Sequence, residues 1–174
     1  PTEANAHPHA SARVAIVHNG IIENFRALRD ELAARGHSFE SQTDSEVAAH
    51  LITDNLDQGM APAEAAKAAV ARLTGAYSLA VIFKDHEGLL VGARKASPLA
   101  VGYGTGESYL GSDAFALAPF TNRVAYLEEG DVAVIDGTEV QIFDAMGRPA
   151  NREIQITSVS AAIVDKGGHS HFMA

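Results

Sequence analysis

A chain of 174 residues that is 47% hydrophobic is long enough to bury a core as one domain. Its 22 acidic residues outnumber 13 basic ones, and the net charge of −9 disfavours nucleic acid and anionic membranes as partners, since both require clustered Lys and Arg. Cysteine is absent, which excludes disulfides, thiolate metal sites and a cysteine nucleophile within the chain.

The first twelve residues form a polar lead-in without initiator Met, which we interpret as the start of a fragment. Within it, Pro8 separates His7 from His9. No third ligand follows at metal spacing, so we predict no metal and assign both histidines to support of this loop. An apolar run typical of a buried strand comes next, at residues 14–17.

That strand runs directly into His18-Asn19-Gly20. Asparagine tolerates positive φ and glycine has no Cβ, so a backbone N–H can point outward beside a side-chain amide at the end of the strand. Two converging neutral donors can stabilise a negative charge that develops on oxygen. The alternative is a plain hairpin turn, which Asn-Gly by itself favours. We prefer the anion pocket because residues 21–25 lead into a helix.

Three helices are predicted between residues 24 and 73. The first, over 24–35, has apolar residues at spacings of three and four. The second opens with the capping-box pattern Thr43-Asp44-Ser45-Glu46 and ends at about residue 58, and the third begins at Pro62. Asp44 stands in the first turn, where acids are common for purely structural reasons, so these residues alone favour a capping role.

The second half of the chain is rich in β-strand signals separated by short turns. Strands are predicted at 76–83, 89–93, 99–103, 107–111, 124–127, 132–135 and 140–143, with a helical turn at 114–117. Helices in the first half and antiparallel strands in the second indicate an α+β fold in which helices cover sheet faces.

The chain contains several short sequence motifs. Their order along the chain is more specific for a protein family than any single motif. They are ANAHPH (4–9), VHNGIIEN (17–24), SQTDSEV (41–47), GAYS (75–78), ARKASPL (93–99), SD (112–113), LEEGD (127–131) and DKGGHSHFM (165–173). In this order they resemble the glutaminase domain of the glutamine–fructose-6-phosphate aminotransferases, a branch of the class II glutamine amidotransferases. The later phrases favour this hexosamine branch over the amidophosphoribosyltransferases.

The resemblance implies the N-terminal-nucleophile hydrolase fold, a four-layer α-β-β-α sandwich with antiparallel sheets, here truncated at its N-terminus. Residues 1–157 would form a partial type-2 amidotransferase domain, and 158–174 a linker toward a sugar-isomerase domain. The implied reaction uses an N-terminal cysteine thiolate against the side-chain amide of glutamine, with the α-amine of that cysteine as base. The released ammonia would aminate fructose 6-phosphate.

By resemblance, Asn19 and Gly20 match the oxyanion hole, and Asp44 matches the carboxylate that binds the α-ammonium of glutamine. His18, like His7, is interpreted as a structural residue of the loop, because the terminal amine already supplies the base. We expect these two donors and the Asp44 carboxylate to border one cavity.

This chain departs from the family in lacking the cysteine, so we predict no glutaminase activity from it alone. No cofactor is expected, and the parent would be a homo-oligomer through its isomerase domain. No apolar run of the chain is long enough to span a bilayer and no signal peptide is visible, so we expect a cytoplasmic enzyme. The alternatives are another class II amidotransferase or a non-catalytic binding module on the same sandwich.

Overall fold

The structure, a computed structural model, describes residues 6–158. Its first half contains β1 (His9–Ala10), β2 (Val14–Ile22), α1 (Phe25–Ala34), α2 (Asp44–Asp57), α3 (Pro62–Arg72) and β3 (Gly75–Phe83). Its second half contains β4 (Leu89–Lys95), β5 (Ala100–Tyr103), β6 (Ser108–Gly111), α4 (Ala114–Leu117), β7 (Arg123–Tyr126), β8 (Val132–Asp136), β9 (Glu139–Phe143), β10 (Pro149–Ala150) and β11 (Gln155–Ile156).

The strands form two antiparallel sheets. The larger has the order β1-β2-β3-β4-β8-β9-β10, and the smaller has the order β11-β7-β5-β6. Strands β2 and β3 are neighbours along their whole lengths although three helices separate them in sequence. The chain therefore leaves the sheet after β2, forms the three helices and returns as β3, which lies antiparallel beside β2.

The three long helices cover one face of the larger sheet. Alternate residues of its strands, such as Ile16 and Leu79, are buried against helical residues such as Leu32, Val47 and Leu51. The alternation of buried residues in the strands follows from their two-residue repeat. The buried helical residues are those of the apolar stripe that each helix turns toward the sheet. The helices and this face of the sheet share the largest core of the described residues.

The second core lies between the two sheets. Leu99, Val101 and Leu127 from the segments of the smaller sheet pack there with Ile135 and Ile142 from the larger. On the outer face of the smaller sheet, α4 contributes one buried leucine to a third, small cluster. The layers are thus helices, sheet, sheet and helix, which confirms the predicted α-β-β-α sandwich.

The helix signals of the sequence are largely confirmed. Thr43 is the N-cap of α2 and its side chain accepts from the backbone N–H of Glu46. Pro62 occupies the first position of α3. Asn24 precedes α1 but makes no side-chain cap, because its amide bonds instead to the backbone of Arg72 and Thr74.

The prediction that the first strand ends at Asn-Gly is wrong. Strand β2 continues to Ile22, and its pairing with β3 runs through Asn19 opposite Ser78 and Gly20 opposite Tyr77. Residues 21–25 were expected to lead straight to a helix, yet the first two remain in the sheet. Long-range pairing with a strand more than fifty residues away overrides the local turn preference.

Three strands of two residues, β1, β10 and β11, were not predicted because such short segments carry no periodic signal. No helix between residues 6 and 158 has the length and apolar character needed to cross a membrane. Apart from Ser158, the segment interpreted as a linker lies outside the described residues.

Candidate functional site

Asn19 lies on the face of β2 that is turned away from the long helices. Its neighbours on this face, Val17 and Ile21, are 46% and 65% exposed, whereas Ile16 and Ile22 on the opposite face are buried under the helices. The Asn19 side chain is exposed and borders a cavity of about 130 Å³ between the two sheets. An amide in this position can donate to a molecule in the cavity.

Gly20 has a backbone conformation that requires glycine. Its φ is +120°, and a Cβ on it would lie 2.1 Å from the carbonyl oxygen of Ala76 and 2.8 Å from Cα of Tyr77 on the neighbouring strand. Both atoms belong to backbone and cannot rotate away. The missing side chain therefore lets β2 and β3 pair closely beside Asn19.

Asp44 is the first residue of α2 and contacts β2 from the end of that helix. Its Oδ2 accepts a hydrogen bond of 2.7 Å from the backbone N–H of Ile22, two residues after Gly20. Its Oδ1 lies 3.8 Å from Nδ1 of His18, too far for a hydrogen bond, and the side chain is 22% exposed. Because Thr43 serves as the cap, the Asp44 carboxylate is not used for capping.

His18 faces the helices and lies beside Asp44. Its Nδ1 is 2.8 Å from Oγ of Ser45, and its Nε2 is buried without a hydrogen-bond partner among the described residues. Burial, the largest cause, lowers the pKa of His18 although the Asp44 carboxylate opposes this shift. The ring is therefore neutral near pH 7 and does not form an ion pair with Asp44.

The two histidines of the lead-in reach the same region. The ring of His7, which lines the cavity, stands edge-on to that of His9 with centroids 5.3 Å apart. His9 is buried, and its Nε2 lies 3.3 Å from Oγ1 of Thr43. Burial lowers the pKa of His9. The lead-in thus packs against the start of α2.

The structure brings some predicted residues together and separates others. The cavity is bordered by His7, His18 and Asn19, but neither Gly20 nor Asp44 is among its lining residues. Asp44 instead touches the backbone of the strand that carries Asn19 and Gly20. One cavity bordered by Asn19, Gly20 and Asp44 was expected, so the absence of the last two from its lining is a difference from that expectation.

Two serines near the site lie in motifs of the family resemblance, but no role in the site was predicted for either from the sequence. Ser78 of β3 pairs directly with Asn19 and lines the cavity, while Ser112 lines it from the end of the smaller sheet. Ser112 precedes Asp113, whose carboxylate accepts from the N–H of Ala116 and caps the start of α4. Pairing of distant strands brings Ser78 beside Asn19, and packing of the two sheets brings Ser112 to the same cavity.

Comparison with curated proteins identifies relatives over nearly the whole chain. The glutamine–fructose-6-phosphate aminotransferases (isomerizing) of Gluconobacter oxydans and Mesorhizobium japonicum are 56% and 57% identical to it over 173 residues. These alignments cover 99% of this chain and 28% of each relative. The chain therefore spans less than a third of the length of these relatives.

Solved structures with the same fold include a glutamine phosphoribosylpyrophosphate amidotransferase from B. subtilis, with a TM-score of 0.63 and 24% identity over 76% of this chain and 29% of that one. A glutamine aminotransferase class-II domain protein from Silicibacter pomeroyi has a TM-score of 0.60 and 22% identity over 86% of this chain and 74% of its own. The family described as "Glutamine amidotransferase domain" matches residues 2–119. The chain therefore belongs to the glutamine amidotransferase family.

Proposed function

We propose that this chain is part of the glutaminase domain of a glutamine–fructose-6-phosphate aminotransferase, which releases ammonia from glutamine for transfer to fructose 6-phosphate. The names of relatives that are more than half identical over 99% of the chain support this assignment. The structural observation that carries it is the exposed amide of Asn19, next to Gly20, on the wall of the cavity between the sheets.

In the proposed reaction, a cysteine thiolate from outside this chain attacks the side-chain amide carbon of glutamine, and the amide oxygen becomes negatively charged. The C–N bond then breaks, the nitrogen takes up a proton and leaves as ammonia, and water hydrolyses the remaining glutamyl thioester. The Asn19 amide and the Gly20 N–H are the proposed donors to the oxyanion. Both are uncharged, so they stabilise the oxyanion without giving up their protons.

Asp44 is proposed to bind the α-ammonium of glutamine. Its Oδ2 is occupied by the N–H of Ile22, while Oδ1 accepts no hydrogen bond among the described residues. A carboxylate with one oxygen available and a neutral histidine beside it can receive an ammonium as a charge-assisted hydrogen bond. The bond to Ile22 also fixes this carboxylate relative to the strand of the oxyanion donors.

The chain contains no cysteine, so we propose that it has no glutaminase activity by itself. The exposed apolar residues that flank Asn19, Val17 and Ile21, support the view that further polypeptide covers this face in the parent enzyme. Turnover of glutamine above background by the purified chain would refute this part of the proposal. The proposal also includes a cytoplasmic parent that assembles through an isomerase domain.

The oxyanion assignment is tested by Asn19→Ala in the full-length parent. We expect kcat for glutamine hydrolysis to fall about 100- to 1,000-fold, with a much smaller change in the KM for glutamine, because the donor acts only on the charged transition state. Asn122→Ala, at an exposed asparagine before β7, is the matched control and should leave both parameters unchanged. A variant of Asn19 that changes only KM would contradict the assignment.

A further inference from the structure

Glu46, in the first turn of α2, uses its carboxylate to hold the segment that precedes the helix. Oε1 accepts from the backbone N–H of Glu40 at 2.6 Å, and Oε2 accepts from the N–H of Ser41 at 2.8 Å and from its hydroxyl at 2.7 Å. The Glu46 side chain is only 5% exposed. A buried carboxylate with three donors on adjacent residues fixes their geometry closely.

These bonds are part of a closed circuit that includes the helix cap. The Ser41 hydroxyl lies 2.9 Å from Oγ1 of Thr43, and it also accepts from the Thr43 backbone N–H. Thr43 in turn accepts from the backbone N–H of Glu46. Thr43 is a member of this circuit and is joined to Asp44 by one peptide bond.

The charge of Glu46 is maintained in this setting. Burial by itself raises the pKa of Glu46, but hydrogen bonds from Glu40 and Ser41 outweigh it and hold the pKa below its ordinary value. His50 lies 3.7 Å from Oε1, and its other nitrogen is 3.1 Å from His37. Burial lowers the pKa of His50, so the ring is neutral near pH 7.

We propose that Glu46 is a positioning residue for glutamine binding, because it orients Asp44 toward the α-ammonium through Ser41 and Thr43. This inference rests on the proposed function, in which Asp44 binds that ammonium. Glu46 itself does not touch the substrate. Its three bonds go to the segment between α1 and α2, and that segment ends at Thr43, the residue before Asp44.

The test is made on the full-length parent with two competitive inhibitors of the glutaminase reaction, glutamate and glutarate. They differ only in the α-ammonium, so the ratio of the glutarate Ki to the glutamate Ki reports the contact with Asp44. Glu46→Gln should lower this ratio about tenfold, the loss expected when a charge-assisted hydrogen bond is misaligned. The kcat should stay within about threefold of the wild-type value, since the oxyanion donors lie on β2.

Three further variants make the outcome decisive. Glu64→Gln, at an exposed glutamate of α3 that pairs with Lys67 in the same helix, should keep the wild-type ratio. Asp44→Asn should abolish the preference for glutamate, and failure to do so would overturn the proposed role of Asp44 itself. If Asp44→Asn abolishes the preference and Glu46→Gln does not reduce it, the positioning role alone is overturned.

Ser41→Ala covers the case in which Glu46→Gln does not fold. It removes one donor to Glu46 and the link to Thr43, while the backbone N–H groups of Glu40 and Ser41 remain. We expect the inhibitor ratio to fall about threefold, in the same direction as for Glu46→Gln. A Ser41→Ala enzyme with a lower melting temperature and an unchanged ratio would reduce the circuit to a stabilising element and overturn the proposal.

Discussion

Replacing Gly20 by alanine tests whether close pairing of β2 and β3 requires glycine. The added Cβ would stand 2.1 Å from the carbonyl oxygen of Ala76, well inside van der Waals contact. The positive φ of +120° costs an alanine roughly 1–3 kcal/mol. Separating two backbones that cannot rotate away adds roughly 1–3 kcal/mol, as overpacking does in cores. We therefore expect a loss of roughly 2–6 kcal/mol, a large part of a typical folding free energy.

Gly36→Ala provides the matched control. Gly36 follows α1 with φ of +97°, and no atom lies within 4 Å of the position that its Cβ would occupy. Gly36→Ala should therefore lower the free energy of unfolding only by the cost of a positive φ, roughly 1–2 kcal/mol. Urea denaturation of both variants, followed by far-UV circular dichroism, measures the two losses. If Gly20→Ala is destabilised no more than Gly36→Ala, the argument from the collision with Ala76 is refuted.

The remaining predictions concern buried charge. Asp131 is fully buried, and Arg152 donates to both of its oxygens at 2.7 and 2.8 Å, so Arg152→Met should cost about 3 kcal/mol in urea denaturation by leaving a buried carboxylate. A decrease in the free energy of unfolding no larger than an exposed ion pair contributes would contradict this expectation. Acid should also destabilise the fold through three histidines whose pKa values burial lowers, namely His9, His18 and His50. Unfolded histidines bind protons near pH 6.5 while the folded ones do not, so this stability is present above pH 6.5 and is lost as the pH falls through the lowered pKa values. Urea midpoints that stay constant between pH 7 and pH 5 would exclude this contribution.

The sequence predicted the helices because their signals are local. Thr43 and Glu46 mark the start of α2 through a hydrogen bond within one helical turn. Pro62 marks the start of α3 because its ring restricts the backbone of the first turn. The capping-box prediction was only half correct. Thr43 accepts from the Glu46 N–H, but the Glu46 carboxylate bonds to Glu40 and Ser41. The pattern fixes where a helix begins, while tertiary packing decides where a long side chain points.

The sequence also identified Asn19, Gly20 and Asp44 as site candidates, but it did so largely through family resemblance. Local chemistry gave a turn at Asn-Gly and a cap at Asp44, since both are the commonest uses of those residues. The structure puts Asn19 and Gly20 inside β2 and gives the cap to Thr43. The assignment to β2 depends on pairing with β3, more than fifty residues along the chain, which local propensity does not encode, whereas the cap of Thr43 is a local contact with Glu46.

Sequence alone determined the composition, the absence of cysteine, the order of the helices and of the strands longer than two residues, and hence the α+β class of this protein. Only the tertiary structure decided that Asn19 faces the space between the sheets, that Ser78 lies opposite it and that Asp44 meets the backbone of Ile22. The physical reason is that strand register and the choice of face are set by pairing and burial across long loops, and a shift of one residue would reverse every side chain.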